Sequence, residues 1–228
     1  YDGLYLLKHS TKGGWALDKK IEGFNYSAKH FEIGLNNEVI VSHEYKGVFL
    51  LKLDNSFNKV LSFDLIDSLN KSIHSDLESY QGSIYYASEH GVFRRNQSGR
   101  EFYKVPELSL LYEDHRYTTG RMIADDFGRL WFFTDQNIVA VSTDDIDGSY
   151  QFDYLSLPSD LRQDLPGHEN LTCTERGEII YGNAQGYLRL ISTGQKLPSK
   201  RTMFDQITAY DTQNHEQQLN PLLLAQLE

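Results

Sequence analysis

One pattern recurs along this chain at nearly constant spacing, and it limits the possible folds more than any other feature. In each copy a short aromatic or β-branched run is followed by a few polar residues, then Gly or Asn, then a second apolar run. The first copy shows only its second half, Gly3-Leu4-Tyr5-Leu6-Leu7. The next reads Val39-Ile40-Val41, Ser42-His43-Glu44-Tyr45-Lys46 and Gly47-Val48-Phe49-Leu50-Leu51. Three more follow: Ile84-Tyr85-Tyr86 with Gly91-Val92-Phe93, Leu130-Trp131-Phe132-Phe133 with Asn137-Ile138-Val139, and Ile179-Ile180-Tyr181 with Gly186-Tyr187-Leu188. The pivots Gly3, Gly47, Gly91, Asn137 and Gly186 lie 44, 44, 46 and 49 residues apart. A period near 45 in strand-forming sequence is the mark of blades in a β-propeller. A β-sandwich also turns its hairpins on Gly, but nothing makes those hairpins recur at a fixed interval.

Gly and Asn at the pivot fit a tight turn between antiparallel strands, where positive φ must be tolerated. A second turn precedes each aromatic run, at Ser79-Tyr80-Gln81-Gly82, Asp125-Asp126-Phe127-Gly128 and Glu175-Arg176-Gly177. Asp and Gly are turn formers. A blade then runs inner strand, turn, aromatic strand, pivot, third strand and outer strand, the last exemplified by residues 59–63 and 100–105. The expected fold is all-β, about five partial four-stranded blades of a larger propeller. The first unit lacks its inner two strands, and no outer strand is evident after residues 186–192, so further blades are expected upstream of Tyr1.

Tyr (15) and Phe (12) are abundant and apolar residues fall in short runs, as strands require. At 228 residues, one large all-β domain is the default. The net charge of -10 repels phosphate backbones and anionic lipid, so nucleic acid is not expected as a partner. No run approaches the roughly 18 to 20 apolar residues that span a bilayer, so membrane attachment would come only through parts outside this segment. The single cysteine, Cys173, rules out an internal disulfide framework and a thiolate zinc cluster.

The segment Asp125-x-x-Gly128-x-Leu130-Trp131-x-x-Thr134 resembles the signature of the two-component regulator propeller repeat, and residues 41–53 resemble another blade of that group. The resemblance covers about residues 1–195; the copies at Val39 and Ile179 lack the Trp and Thr. It implies the periplasmic sensor region of a Bacteroidetes hybrid histidine kinase or LuxR-like regulator. By the same resemblance the ligand would be a saccharide or similar small molecule, with dimerisation through the full-length receptor. In that family an immunoglobulin-like domain with a triple-tyrosine motif follows the propeller. Residues 1–200 are accordingly expected to be blades and 201–228 a connector. Pro221-Leu222-Leu223-Leu224 would open the next domain's first strand, or else an amphipathic helix.

In a propeller the turns from second to third strand open on the face around the channel, together with the links between blades. The turns supply candidate ligand-binding residues His43, Glu44, Tyr45, Glu89, His90, Asp135, Gln136, Asn183 and Gln185. These mix hydrogen-bonding and aromatic groups, as sites for polar small molecules do. Among the links, residues 112–117 form the densest ionisable cluster and supply Tyr112, His115 and Arg116. A propeller enzyme acting on polysaccharide would draw Glu113 or Asp114 and His115 from that loop as acid and base. The other reading is a solvated, internally paired loop. A third function class is a scaffold that contacts only proteins. No H-E-x-x-H spacing, nucleophile elbow or phosphate-binding glycine loop occurs, so no metal, cofactor or catalytic residue is expected. Tyr85, Tyr86, Trp131, Phe132, Phe133 and Tyr181 are expected to fill the space between blades.

Overall fold

The computed structural model describes residues 2–11, 13–96, 99, 101–144, 146–165, 168–175, 178–191 and 206–219. Arg100, Arg176, Gly177 and the 220–228 tail lie outside them, so the expected strand or helix at Pro221 does too. The chain divides into two compact units, Tyr1–Val105 and Pro106–Glu228.

In the first unit, β1 (Leu4–His9) and β2 (Trp15–Ile21) form a two-stranded hairpin. A four-stranded antiparallel meander follows: β3 (His30–Ile33), β4 (Glu38–His43), β5 (Gly47–Leu53) and β6 (Val60–Leu65). A second meander is β7 (Asp76–Tyr80), β8 (Ser83–Ser88), β9 (Gly91–Asn96) and β10 (Tyr103–Lys104). The second unit opens with one turn of helix, α1 (Pro106–Ser109). Then come β11 (Tyr117–Ala124), β12 (Arg129–Thr134), β13 (Asn137–Thr143) and β14 (Tyr150–Ser156) as a third meander. The last sheet is β15 (Asn170–Cys173), β16 (Ile179–Asn183), β17 (Gly186–Ile191), β18 (Gln206–Asp211) and β19 (Glu216–Leu219). All-β structure in consecutive four-stranded meanders is propeller-blade architecture.

The aromatic runs are near-continuously apolar because blade sheets are covered on both faces. Val39, Val41, Phe49 and Leu51 pack with Ile21 and Phe24, while Ile40 and Val48 on the other face pack with Leu77, Ile84 and Tyr86. In the second unit Trp131, Phe133, Tyr181, Leu188 and Leu190 share one core cluster. Each large apolar side chain buried this way contributes about 1.5–3 kcal/mol. The six aromatics expected in the core are all nearly inaccessible, none above 3% exposed.

Asp125 explains the Asp-x-x-Gly-x-Leu-Trp spacing. Its carboxylate is fully buried, and Oδ1 accepts from the backbone N–H of Phe127 and Arg129, each at 2.9 Å. Oδ2 accepts from Arg129 Nε at 2.6 Å and from Trp131 Nε1 at 2.8 Å. The motif thus knots the β11–β12 turn to the indole that fills the core. Thr134 completes it: Asn137 N–H donates to its Oγ1 at 3.0 Å, and Oγ1 donates back to the Asn137 carbonyl at 3.1 Å.

Three details differ from the sequence reading. Gly3, Gly47, Gly91 and Gly186 have φ of 134°, 106°, 117° and 153°, but Asn137 does not take positive φ. The Thr134 hydroxyl closes that turn instead. The outer strands run over β6 and the two-residue β10, rather than 59–63 and 100–105. Finally, Gln206–Asp211, assigned above to a connector, pairs along the whole of β17 as the fourth strand of the last sheet, and β19 adds a fifth. Ile207 and Thr208 are buried there, which gives the strand a reason to join the blade.

Candidate functional site

Strand register brings turns and links to one edge within each unit. In the second unit Asn137 pairs with Ser156, Asn170 with Gly182 and Asn183 with Gly186. The β12–β13 turn, the β16–β17 turn and the 157–169 link between β14 and β15 therefore share an edge. The 113–116 loop joins them, since the Asp135 N–H donates to the Arg116 carbonyl at 3.0 Å.

At this edge Asp135, Gln136 and Gln185 are exposed, and Asn183 is half-buried. Asn183 Oδ1 accepts from the N–H groups of Gln185 and Gly186, at 3.0 and 2.9 Å, and so shapes its own turn. Its Nδ2 donates to the Leu161 carbonyl at 2.8 Å, and the Ala184 N–H to the Gln163 carbonyl at 3.1 Å. Arg162, between them, donates from Nη2 to the Thr134 carbonyl at 2.6 Å and pairs with Asp164 at 2.7 Å. The link is thereby tied to both turns. Burial pushes the Asp164 carboxyl up, against the pull of Arg162.

Tyr112 and its loop divide. The Tyr112 ring is buried, edge-on to Tyr117 at 5.0 Å and to Phe132 at 6.3 Å, so it belongs to the core rather than to a ligand surface. Glu113, Asp114 and His115 are exposed, with Asp114 paired to Arg116 at 3.1 Å. That is a solvated, internally paired loop, with Asp114 and His115 at φ of 54° and 62°.

In the first unit the β4–β5 and β8–β9 turns share an edge with the 66–75 link, fixed by Ile66 N–H to the Val48 carbonyl at 2.8 Å and by the pairing of Asp76 with Ala87. His43 Nδ1 accepts from the Tyr45 N–H at 3.2 Å, Glu44 pairs with Lys29 at 3.3 Å, and Tyr45 is exposed. Lys46 lies over the Tyr26 ring at 4.8 Å, and Tyr26 stacks on Phe49. Glu89 and His90 are exposed neighbours, 3.8 Å apart.

The sequence reading passed over a buried polar seam between β3 and β7. His30 Nδ1 meets Asp76 Oδ1 at 2.6 Å, and the Ser79 hydroxyl donates to Glu32 at 2.5 Å. Burial raises the Glu32 carboxyl, against the hydrogen bond from Ser79. Beside it Ser42 and Ser75 Oγ lie 3.2 Å apart. Period-two alternation on β3, with His30 and Glu32 on one face and Phe31 and Ile33 on the other, is the signal that could have exposed this seam. Among the described residues no three His, Cys, Asp or Glu side chains stand close enough to hold a metal ion.

No family model and no curated protein sequence matches the chain. Among solved structures it is similar to the extracellular domain of BT4673 from B. thetaiotaomicron, described as a one component system. The TM-score is 0.51 and the identity 12%, over 91% of this chain and 31% of that one. Another structure of the BT4673 extracellular domain, described as a hybrid two component system, aligns with TM-score 0.38 and 10% identity, covering 94% and 41%. The chain spans about a third of the first structure's length, and at such identity the likeness is one of fold.

Proposed function

We propose that this chain is a ligand-sensing propeller segment from the extracytoplasmic part of a signalling receptor, and that its ligand is a saccharide or a similar polar small molecule. The observation that carries this reading is the edge of the second unit. Two strand turns and an interblade link converge there with Arg162, Asp164, Asn183, Asp135 and Gln136. Convergent polar groups on a rigid sheet edge bind and orient small molecules. The fold it shares with an extracellular domain of a described signalling system supports the same assignment. Among the described residues no helix is long and apolar enough to cross a membrane, as a sensing segment outside the bilayer requires.

Sensing needs a ligand-dependent change in free energy, not only contact. The link supplies a route, because it is held to the turns by a few hydrogen bonds and a ligand that replaces one of them shifts it. The test is a thermal-shift screen of the chain against neutral and acidic saccharides, amino acids and nucleosides, with calorimetry on hits. Saturable stabilisation by a member of the first two classes is expected. No stabilisation by any compound, with capture of a protein partner instead, overturns the reading in favour of a scaffold.

A further inference from the structure

The two four-stranded sheets of the first unit meet over an apolar cluster in which Ile40 and Val48 of one pack with Leu77, Ile84 and Tyr86 of the other. Strand β3 contributes no side chain to that cluster. It meets β7 through polar ties instead. His30 Nδ1 lies 2.6 Å from Asp76 Oδ1, and the Ser79 hydroxyl donates to Glu32 Oε2 at 2.5 Å. The two carboxylates therefore stand on opposite sheets, Glu32 on β3 and Asp76 on β7. The Asp76 side chain is 1% exposed and that of His30 18%, so the charges here act with little screening by water. Around the seam, Glu38 of β4 is paired with Arg95 of β9 at 2.8 Å, and Lys29, next to His30, with Glu44 at 3.3 Å. The Tyr86 hydroxyl donates to the Asn70 carbonyl, and burial raises the phenol, which keeps it neutral. Glu78 projects from the face of β7 opposite to Ser79, in register with Tyr85 and Arg94, and His74 lies in the link just before Asp76.

The charge on the seam depends on its protons. With Glu32 protonated and His30 cationic, Asp76 is balanced and the three groups are neutral together. With both deprotonated, a carboxylate on each sheet faces a like charge on the other, and a neutral ring offsets neither. Like charges so placed push β3 and β7 apart, whereas the apolar contacts of Ile40 and Val48 with the second sheet do not titrate. We propose that the β3–β7 seam is a proton-operated clasp between two blades, closed in acid and loosened at the inner strands as pH rises. The sign follows from the Glu32 carboxyl, which burial and then the Asp76 charge push up, against the hydrogen bonds from Ser79 and the pull of His30. A raised folded-state value means that the contribution is complete below the unfolded value of about 4.3 and is lost as pH rises through the folded one. The imidazole acts in the same direction, since its attraction to Asp76 exists only while the ring is protonated.

Amide exchange of the isotope-labelled chain, corrected for the intrinsic pH dependence of exchange, measures local opening at Phe31, Ile33 and Ser79 between about pH 4.5 and about pH 7.5. Opening at these amides is expected to rise by at least about threefold across that range, while β12 and β13 stay level. In Glu32→Gln, which keeps the shape of the protonated acid, the rise shrinks, and in the double variant with His30→Gln it disappears. The carboxyl ¹³C resonance of Glu32 in the unaltered chain titrates with a midpoint above the ordinary glutamate value. Opening that is flat with pH overturns the proposal, as does a rise of equal size in a folded Glu32→Gln. A rise shared equally by β12 and β13 assigns the effect to the charge of the whole chain and also overturns it. A Glu32 midpoint at or below the ordinary value does the same, and that readout needs no variant, so it stands if Glu32→Gln fails to fold.

Discussion

Replacing Asp125 with asparagine isolates the free energy stored in the β11–β12 knot. The carboxylate accepts four N–H donors, two from backbone and two from the Arg129 and Trp131 side chains. Asparagine keeps the shape but has one acceptor oxygen, so one pair of donors is left facing an NH₂ group. A buried hydrogen bond to a charged group is worth about 1.5–3 kcal/mol, so losing two costs roughly 3–5 kcal/mol. That is a large part of the 5–15 kcal/mol that holds a typical domain. With a urea dependence of about 2 kcal/mol per molar, the midpoint falls by about 2 M. Fluorescence of Trp131 reports the unit that contains the knot, and a Trp15→Phe background silences the other tryptophan, which is 71% exposed. The pH dependence has a definite sign. Burial works to raise the Asp125 carboxyl, but the hydrogen bonds from Trp131 and the Arg129 N–H, with the Arg129 charge, outweigh it and hold it below the ordinary value. A depressed folded-state value means the stabilisation is complete above the unfolded value near pH 4 and is lost as pH falls through the folded one. The gap between the wild-type chain and Asp125→Asn is thus constant from pH 8 to 5 and narrows in acid. A midpoint within about 0.3 M of wild type at pH 7, or a gap that does not narrow at low pH, refutes the reasoning.

Gly186→Ala places a Cβ against the Tyr210 carbonyl and within 2.9 Å of the Asp211 backbone. Thermal melts should show a loss well above that of Gly148→Ala, which meets nothing within 4 Å and bears only the strain of its φ of 72°. Burial beside the Asp125 charge pushes the Cys173 thiol up from 9.0 to about 11, so its thiolate fraction at pH 8 is about a hundredfold lower than that of an unperturbed thiol. Iodoacetamide labelling followed by mass spectrometry should be slower by that factor in the native chain and recover in urea. Asp76→Ala strips the His30 ring and the Leu77 N–H of their acceptor at a site 1% exposed, an expected cost of about 2–4 kcal/mol. Urea unfolding of the first unit, followed by amide exchange at β3 and β7, checks it; unchanged protection there counts against the seam as a structural tie.

What could be read from the sequence follows from the range of the interactions involved. The blade repeat was legible because each hairpin is local: a Gly pivot, a polar turn and an apolar run within about 15 residues impose their own geometry. The Asp125 motif was visible for the same reason, as all but one of its donors lie within six residues. β18 was missed because its partner β17 ends fifteen residues earlier, at Ile191, and nothing local to Gln206–Asp211 says which edge it joins. Arg162 and Asp164 were missed for a sharper reason. Arg-x-Asp in a polar stretch reads as an exposed surface pair, and most such pairs contribute little. Only the return of the chain from β14 to β15 across two turn edges buries them and separates their used atoms from their unused ones. Tyr112 is the opposite case, since its position in the densest ionisable run made it resemble a site residue while its ring was already committed to Tyr117 and Phe132. Residue type picked out the polar segments; burial, which depends on partners distant in sequence, separated the groups exposed at the sheet edges from those occupied in holding the blades.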